Sequence, residues 1–280
     1  MKRLPPRSLH GAAITAAQED DMGKERGAAI WFVVTLVLGL SAPVLAGLNR
    51  WTPDHPEDGL VYTIVFHPTD ADVVLAGGVD GVYRSTDAGR TWAPFGVGLS
   101  GGKVECLEFN PADPTMVFAV SGRKLHCSRD GGRNWNAWTL TGDAAGASFG
   151  WLTVSRSESA IVWLVDYLYY RVYRLNTVSG QCDLLPLPLN WTQPHWILAH
   201  PSDPDTLYID GYRKLGRTRD GGATWEEIVN GLNSRIFNTL VMDEQNPSRL
   251  YLGAGMGYDQ TDKAIYWGGV YRTDDGGDLW

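Results

Sequence analysis

The sequence predicts an all-β fold, a β-propeller of four-stranded blades, and three observations carry that prediction. A nine-residue box recurs four times, as "RSTDAGRTW" at 84–92, "CSRDGGRNW" at 127–135, "RTRDGGATW" at 217–225 and "RTDDGGDLW" at 272–280. Two apolar strands separated by a turn precede each box, and His67, Asn110 and His200 each stand 20 residues ahead of their box aspartate. Glycine (33) and tryptophan (12) are abundant, and glycine with aromatics in short runs favours strands and tight turns over helices. A unit of roughly 45 residues with four short strands, repeated along a chain, stacks as propeller blades.

The elements follow in order. Residues 1–47 stand apart from the fold. The run "AAIWFVVTLVLGLSAPVLAG" at 28–47 lies behind Lys24 and Arg26 and closes on Val44-Leu45-Ala46. It reads as a secretory signal cleaved after Ala46. At about 20 apolar residues it is also long enough to be an uncleaved membrane anchor. Met22 would start a more ordinary signal, and no cysteine follows the run to suggest a lipoprotein. Either reading places residues 48–280, the propeller domain, outside the cytoplasm: secreted, periplasmic or lumenal.

Five units fill that domain, at about 60–103, 104–146, 147–192, 193–237 and 238–280. The strand pairs are "IVFHPTDADVVLAG", "LEFNPADPTMVFAV", "ILAHPSDPDTLYID" and "LVMDEQNPSRLYLG". Asp87 and Asp130 are 43 residues apart but Asp130 and Asp220 are 90, so a worn unit must lie between. "LTVSRSESAIVWLV" at 152–165 supplies its first strands, and "YRVYRLNTVSGQCD" at 170–183 keeps Gly180 but has lost the box aspartate and tryptophan. "NRWTPDHPEDGL" at 49–60 looks like the strand after a box and could complete the fifth unit. The chain stops on Trp280, which alternatively reads as an interruption of a six- or seven-bladed propeller.

The shared pattern, S/T-x-D-x-G-x-x-W, resembles the Asp-box (BNR) repeat family, and the resemblance covers residues 60–280. It implies a propeller. Members of that group include sialidases, xyloglucan-type glucanases, sortilin-type receptors and photosystem II assembly factors, so the resemblance is compatible with binding or with catalysis. It also implies that the box is structural and away from any active site.

The residue chemistry agrees with a structural box. Asp87, Asp130, Asp220 and Asp275 can accept hydrogen bonds from downstream N–H groups, as can Ser85, Ser128, Thr218 and Thr273 more weakly. Gly89, Gly132, Gly222 and Gly277 permit positive φ where the chain reverses. Trp92, Trp135, Trp225 and Trp280 offer large rings to bury, with an indole N–H that needs a partner. A catalytic aspartate need not recur around a ring.

His67 and His200 share a slot with Asn110, Ser155 and Asp243, which makes it a turn-capping position and not a metal site. Arg84, Arg217 and Arg272 hold one place in each unit, whereas a sialidase clamp needs arginines converging from different places. Glycosidase chemistry needs two suitably separated carboxylates. Cys106, Cys127 and Cys182 form no disulfide framework. No cofactor or metal is expected.

Two irregular units are the candidate binding surface. In unit three, "WLVDYLYYRVYR" carries Trp163, Tyr167, Tyr169 and Tyr170, side chains favoured at interfaces. In unit five Asp243 and Asp275 are 32 residues apart, not 20, and the extra loop carries Tyr258, Asp259, Asp262 and Trp267. The formal charge of −8 lacks the basic footprint of a nucleic-acid binder. Membrane contact is expected only through an uncleaved N-terminal segment. The expected function is an exported, non-enzymatic module that binds a protein or glycan. The alternative is an exported glycoside hydrolase, xyloglucanase- or sialidase-like, or a fragment of one.

Overall fold

The computed structural model describes residues 60–99, 102–258, 263 and 265–280. The N-terminal apolar run, residues 49–59, Asp259 and Asp262 lie outside the described residues. No helix among the described residues is long and apolar enough to cross a membrane.

The fold is an all-β propeller of five blades, each an antiparallel sheet whose strands follow chain order. Blade 1 comprises Val61–Phe66, Val74–Gly78, Gly81–Ser85 and Ala93–Phe95. Blade 2 comprises Val104–Phe109, Val117–Ser121, Lys124–Ser128 and Trp135–Ala137. The worn unit forms blade 3, with Phe149–Val154, Ile161–Asp166, Arg171–Asn176 and Cys182–Leu184. Blade 4 comprises Ile197–Ala199, Leu207–Gly211, Lys214–Thr218 and Glu226–Glu227. Among the described residues blade 5 has three strands, Phe237–Met242, Leu250–Ala254 and Gly269–Thr273. Between its second and third strands sits a small hairpin, Gly257–Tyr258 with Ile265–Tyr266.

Second strands such as "VFAVS" and "IVWLVD" are buried along their whole length. They are continuously apolar because a neighbouring layer covers each face, the pattern of a strand buried on both sides. Four hydrophobic cores join successive blades. Leu75 and Val82 of blade 1 meet Val104 and Val117 of blade 2. Phe118 of blade 2 meets Leu152 and Leu164 of blade 3. Trp163 of blade 3 meets Ile209 of blade 4, and Leu215 of blade 4 meets Leu252 of blade 5. Each fully buried leucine or phenylalanine adds roughly 1.5–3 kcal/mol relative to exposure.

The first and last blades expose apolar side chains. Val65 points into the first core, so Ile64 and Phe66 point away from it and stay exposed. On blade 5, Val241 pairs with Tyr251 and Tyr251 with Arg272, on the face opposite the buried Leu252; both apolar residues are exposed. The box tryptophans show the same asymmetry. Trp135, Trp225 and Trp280 each pack toward the preceding blade, while Trp92 of blade 1 joins none of the four cores.

Candidate functional site

The four boxes share one hydrogen-bond pattern. In the first, Asp87 accepts the Thr91 backbone N–H at 2.8 Å, the Thr91 hydroxyl at 2.6 Å and the Ser85 hydroxyl at 2.7 Å. Ser85 Oγ in turn accepts the Gly89 N–H at 2.8 Å. Asn134 plays the part of Thr91 for Asp130, and Thr224 plays it for Asp220. Asp275 accepts the Leu279 N–H at 3.1 Å and the Thr273 hydroxyl. The Thr91 bonds hold the Asp87 carboxyl down to about 2, and the Thr224 bonds do the same for Asp220. These carboxylates spend their lone pairs on their own turns, which suits a turn clip and not a general base.

The indole N–H groups follow the blade. Trp92 and Trp135 donate to the Gly89 and Gly132 carbonyls, and Trp280 donates to Ile228. The Trp225 N–H finds no acceptor among the described residues; its ring tilts against Trp191, 6.1 Å between centroids. In the worn box of blade 3, Asn176 Oδ1 accepts the Val178 and Ser179 N–H groups and closes the turn instead.

The shared slot of the first turns is a cap in every blade. His67 Nδ1 accepts the Asp70 N–H at 3.1 Å, and His200 Nδ1 accepts that of Asp203 at 3.1 Å. Asn110, Ser155 and Asp243 accept equivalent N–H groups. Among the described residues no cluster of His, Cys, Asp and Glu could hold a metal ion.

The irregular units converge on one end of the propeller, where the hairpins between second and third strands lie. The boxes and capped turns occupy the opposite end, because strand direction alternates within each sheet. Asp166 anchors the blade 3 hairpin by accepting the Leu168 N–H at 2.8 Å and the Tyr169 N–H at 3.2 Å. Tyr170 completes the turn at φ 56°. Tyr167, Tyr169 and Tyr170 are all exposed, Tyr169 to 58%. Trp163 must be removed from that surface: it is 2% exposed, packed in the core between blades 3 and 4. It stands three residues before Asp166 on the strand, on the face that blade 4 covers.

Trp267 is 64% exposed beside the blade 5 hairpin. Tyr258 lies on that hairpin's first strand, while Asp259 and Asp262 fall outside the described residues.

Sequence reasoning missed the arginines at this end. Arg123, from the blade 2 hairpin, lies over the Tyr167 ring at 4.9 Å, and Arg171 lies over Tyr169 at 5.5 Å. Arg213, from the blade 4 hairpin, lies over Tyr266 at 5.5 Å and donates to its hydroxyl at 3.2 Å. Tyr212 beside it is exposed. A signal was available, since "GRK" at 122–124 and "YRK" at 212–214 hold the same register, and Arg123 and Arg213 share a left-handed φ of 63° and 62°. Beneath the blade 4 hairpin, Asp210 is buried and accepts the His195 and Trp196 N–H groups and His195 Nδ1 at 2.8 Å. That bond raises the His195 pKa.

A second feature lies at the centre. The first strands of blades 1 to 4 and the first turn of blade 5 line a cavity of about 560 Å³. Glu108, Thr153, Arg156 and Glu244 supply its polar groups, and Phe66, Trp151 and Ile197 supply much of its wall. Thr153 Oγ1 donates to Glu108 at 3.3 Å, and Arg156 holds Glu244 at 2.7 Å. Burial pushes the Glu108 carboxyl up to about 8, against the pull of its hydrogen bonds and of Arg156.

No protein-family model and no curated protein matches this sequence. Solved structures do match. An ancestral GH74 enzyme superposes with a TM-score of 0.60 at 17% identity, over 77% of this chain and 30% of that one. YCF48 from Cyanidioschyzon merolae superposes at 0.53 with 14% identity, over 81% and 85% of the two chains. The extracellular domain of the one-component system BT4673 from B. thetaiotaomicron gives 0.54 at 13% identity, over 77% and 31%. The chain therefore spans about a third of the GH74 and BT4673 chains and most of YCF48. At these identities the likeness shows the fold, a β-propeller.

Proposed function

We propose that this protein is a non-enzymatic propeller that acts outside the cytoplasm and binds a protein or glycan partner through its hairpin end. The observation that carries this reading is the set of exposed rings there, Tyr167, Tyr169, Tyr170, Tyr212 and Trp267, with arginines laid over two neighbouring tyrosines. Tyr, Trp and Arg are the side chains that dominate binding energy at interfaces, and exposed aromatic faces also suit sugars. The N-terminal signal-like run supports export. The likeness to an extracellular domain also fits export.

A second reading, a glycoside hydrolase, draws on the GH74 likeness and on Glu108 and Glu244 lining one cavity. Two carboxyls, one of them protonated near neutral pH, are the requirement of that chemistry.

One experiment separates the two. The full-length protein is applied to glycan and peptide arrays and to a polysaccharide hydrolysis screen. The binding reading expects ligand capture without turnover, lost in Tyr169→Ala or Trp267→Ala with unchanged melting. Turnover abolished by Glu108→Gln or Glu244→Gln would replace it with the hydrolase.

A further inference from the structure

The central cavity belongs neither to the boxes nor to the hairpin end, and its lining mixes apolar and polar groups. Phe66 and Trp151 are exposed on its wall, and Trp151 is held by its Nε1 donating to the Ile197 carbonyl at 3.3 Å. Arg156, Glu108 and Thr153 line the same cavity. Arg156 is occupied by Glu244, but both side chains are about half exposed, at 47% and 63%. An ion pair in that setting contributes little and exchanges readily for another carboxylate. Guanidinium and carboxylate match as planar, bidentate partners.

We propose that this cavity binds a small carboxylate ligand with an apolar or aromatic body, its carboxylate replacing Glu244 on Arg156 and its body lying against Trp151 and Phe66. Pockets of this kind pair an apolar wall with a few convergent polar groups that orient the ligand. Glu108 fits the role of a neutral partner. With its carboxyl raised to about 8 it is protonated at neutral pH and offers an O–H donor. A bound anion nearby raises that pKa further, so ligand and proton bind together.

The groups facing Glu108 are Thr153 and Arg156 of blade 3 and Cys106 on its own strand, with His67 of blade 1 and Glu244 of blade 5 on the same cavity. The Cys106 thiol is pushed up to about 12, first by burial, and stays neutral across the working range. For an ionised ligand, affinity therefore falls as pH rises through the Glu108 pKa, when a second carboxylate appears beside it.

The test is calorimetric titration of the full-length protein with phenylacetate, 2-phenylethanol and phenethylamine, followed in parallel by tryptophan fluorescence. Phenylacetate is expected to bind at millimolar concentrations or below, up to about fivefold tighter than the alcohol, a difference set by the Arg156 contact. Arg156→Gln should remove that preference, and Glu244→Gln, which frees Arg156, should strengthen binding. Glu108→Gln, which cannot ionise, should lose the alkaline fall in affinity whatever its affinity at neutral pH. Melting curves accompany each variant, and Glu244→Gln keeps the test open where Arg156→Gln fails to fold. Equal affinity for acid and alcohol, no binding of phenylacetate at millimolar concentration, or unchanged binding in folded Arg156→Gln would overturn the proposal. None of these results bears on capture by the hairpin end.

Discussion

The Arg123 guanidinium lies over the Tyr167 ring at 4.9 Å, and the two residues sit on hairpins of neighbouring blades. The contact ties the ends of two sheets whose cores are already packed, so its effect is local. A double-mutant cycle of Arg123→Ala and Tyr167→Ala in urea is expected to give a coupling of about 0.5–1 kcal/mol. Additive losses would show that the two hairpins are independent.

Ala88 sits at φ 59° where the other three boxes have glycine, Gly131, Gly221 and Gly276, at 72°, 69° and 73°. Its N–H donates to the Asp72 carbonyl at 2.9 Å just as that of Gly131 donates to Thr115 at 2.8 Å, so the turn geometry is retained and the strain falls on Ala88. Ala88→Gly should stabilise the protein by up to about 1 kcal/mol, the relieved strain outweighing the added chain entropy. Gly131→Ala should cost about 1 kcal/mol by the same torsional argument, since a Cβ there meets nothing within 4 Å. Thermal melts of both variants check the pair of signs.

Asp87→Ala should lower the melting temperature while ligand capture by folded protein is retained. The folded carboxyl is held down to about 2, below its ordinary 3.8, so its stabilisation is complete above the ordinary value and is lost as pH falls through 2. The gap in melting temperature between the variant and the unmodified protein should therefore close toward pH 2. A pH series of melts measures it, and a gap independent of pH would assign the loss to something other than the carboxylate.

Glu108 gives the opposite sign. Its folded pKa, about 8, lies above its ordinary 4.5, so the folded state holds more protons between those values and stability declines across that window. Glu108→Gln, which stays neutral, should match the unmodified protein at pH 4.5 and exceed it above pH 8. The excess is expected on the order of 1–3 kcal/mol. Urea unfolding at the two ends of the window is the measurement.

Much of the fold was legible because propeller blades are written locally. The box reads as a turn from residue types alone: Ser85, Asp87 and Gly89 satisfy one another within five residues of chain. The cap at His67 or Asn110 likewise depends on N–H groups two or three residues on. Even the worn blade 3 could be placed from spacing, although Asn176 had taken over its turn by a bond the box pattern does not contain.

The binding surface was legible only in part. Trp163 and Tyr169 stand six residues apart in one aromatic run, yet one is core and the other solvent-exposed. Trp163 lies on a strand face that blade 4 covers, whereas Tyr169 lies in the hairpin turn beyond Asp166, and the aromatic run does not itself mark where the strand ends. The arginines over the tyrosines were missed because Arg123 and Tyr167 are 44 positions apart and meet only when two blades stack.

The sequence alone determined the repeat, its turns and the number of visible units, since period, glycine placement and short-range hydrogen bonding are properties of neighbouring residues. Tertiary structure alone decided that the hairpins of blades 2 to 5 share one end, that Glu108, Arg156 and Glu244 share one cavity, and that Ile64 and Val241 stay exposed among the described residues. Those outcomes depend on contacts between sheets, and a sheet's own sequence does not specify what packs beside it.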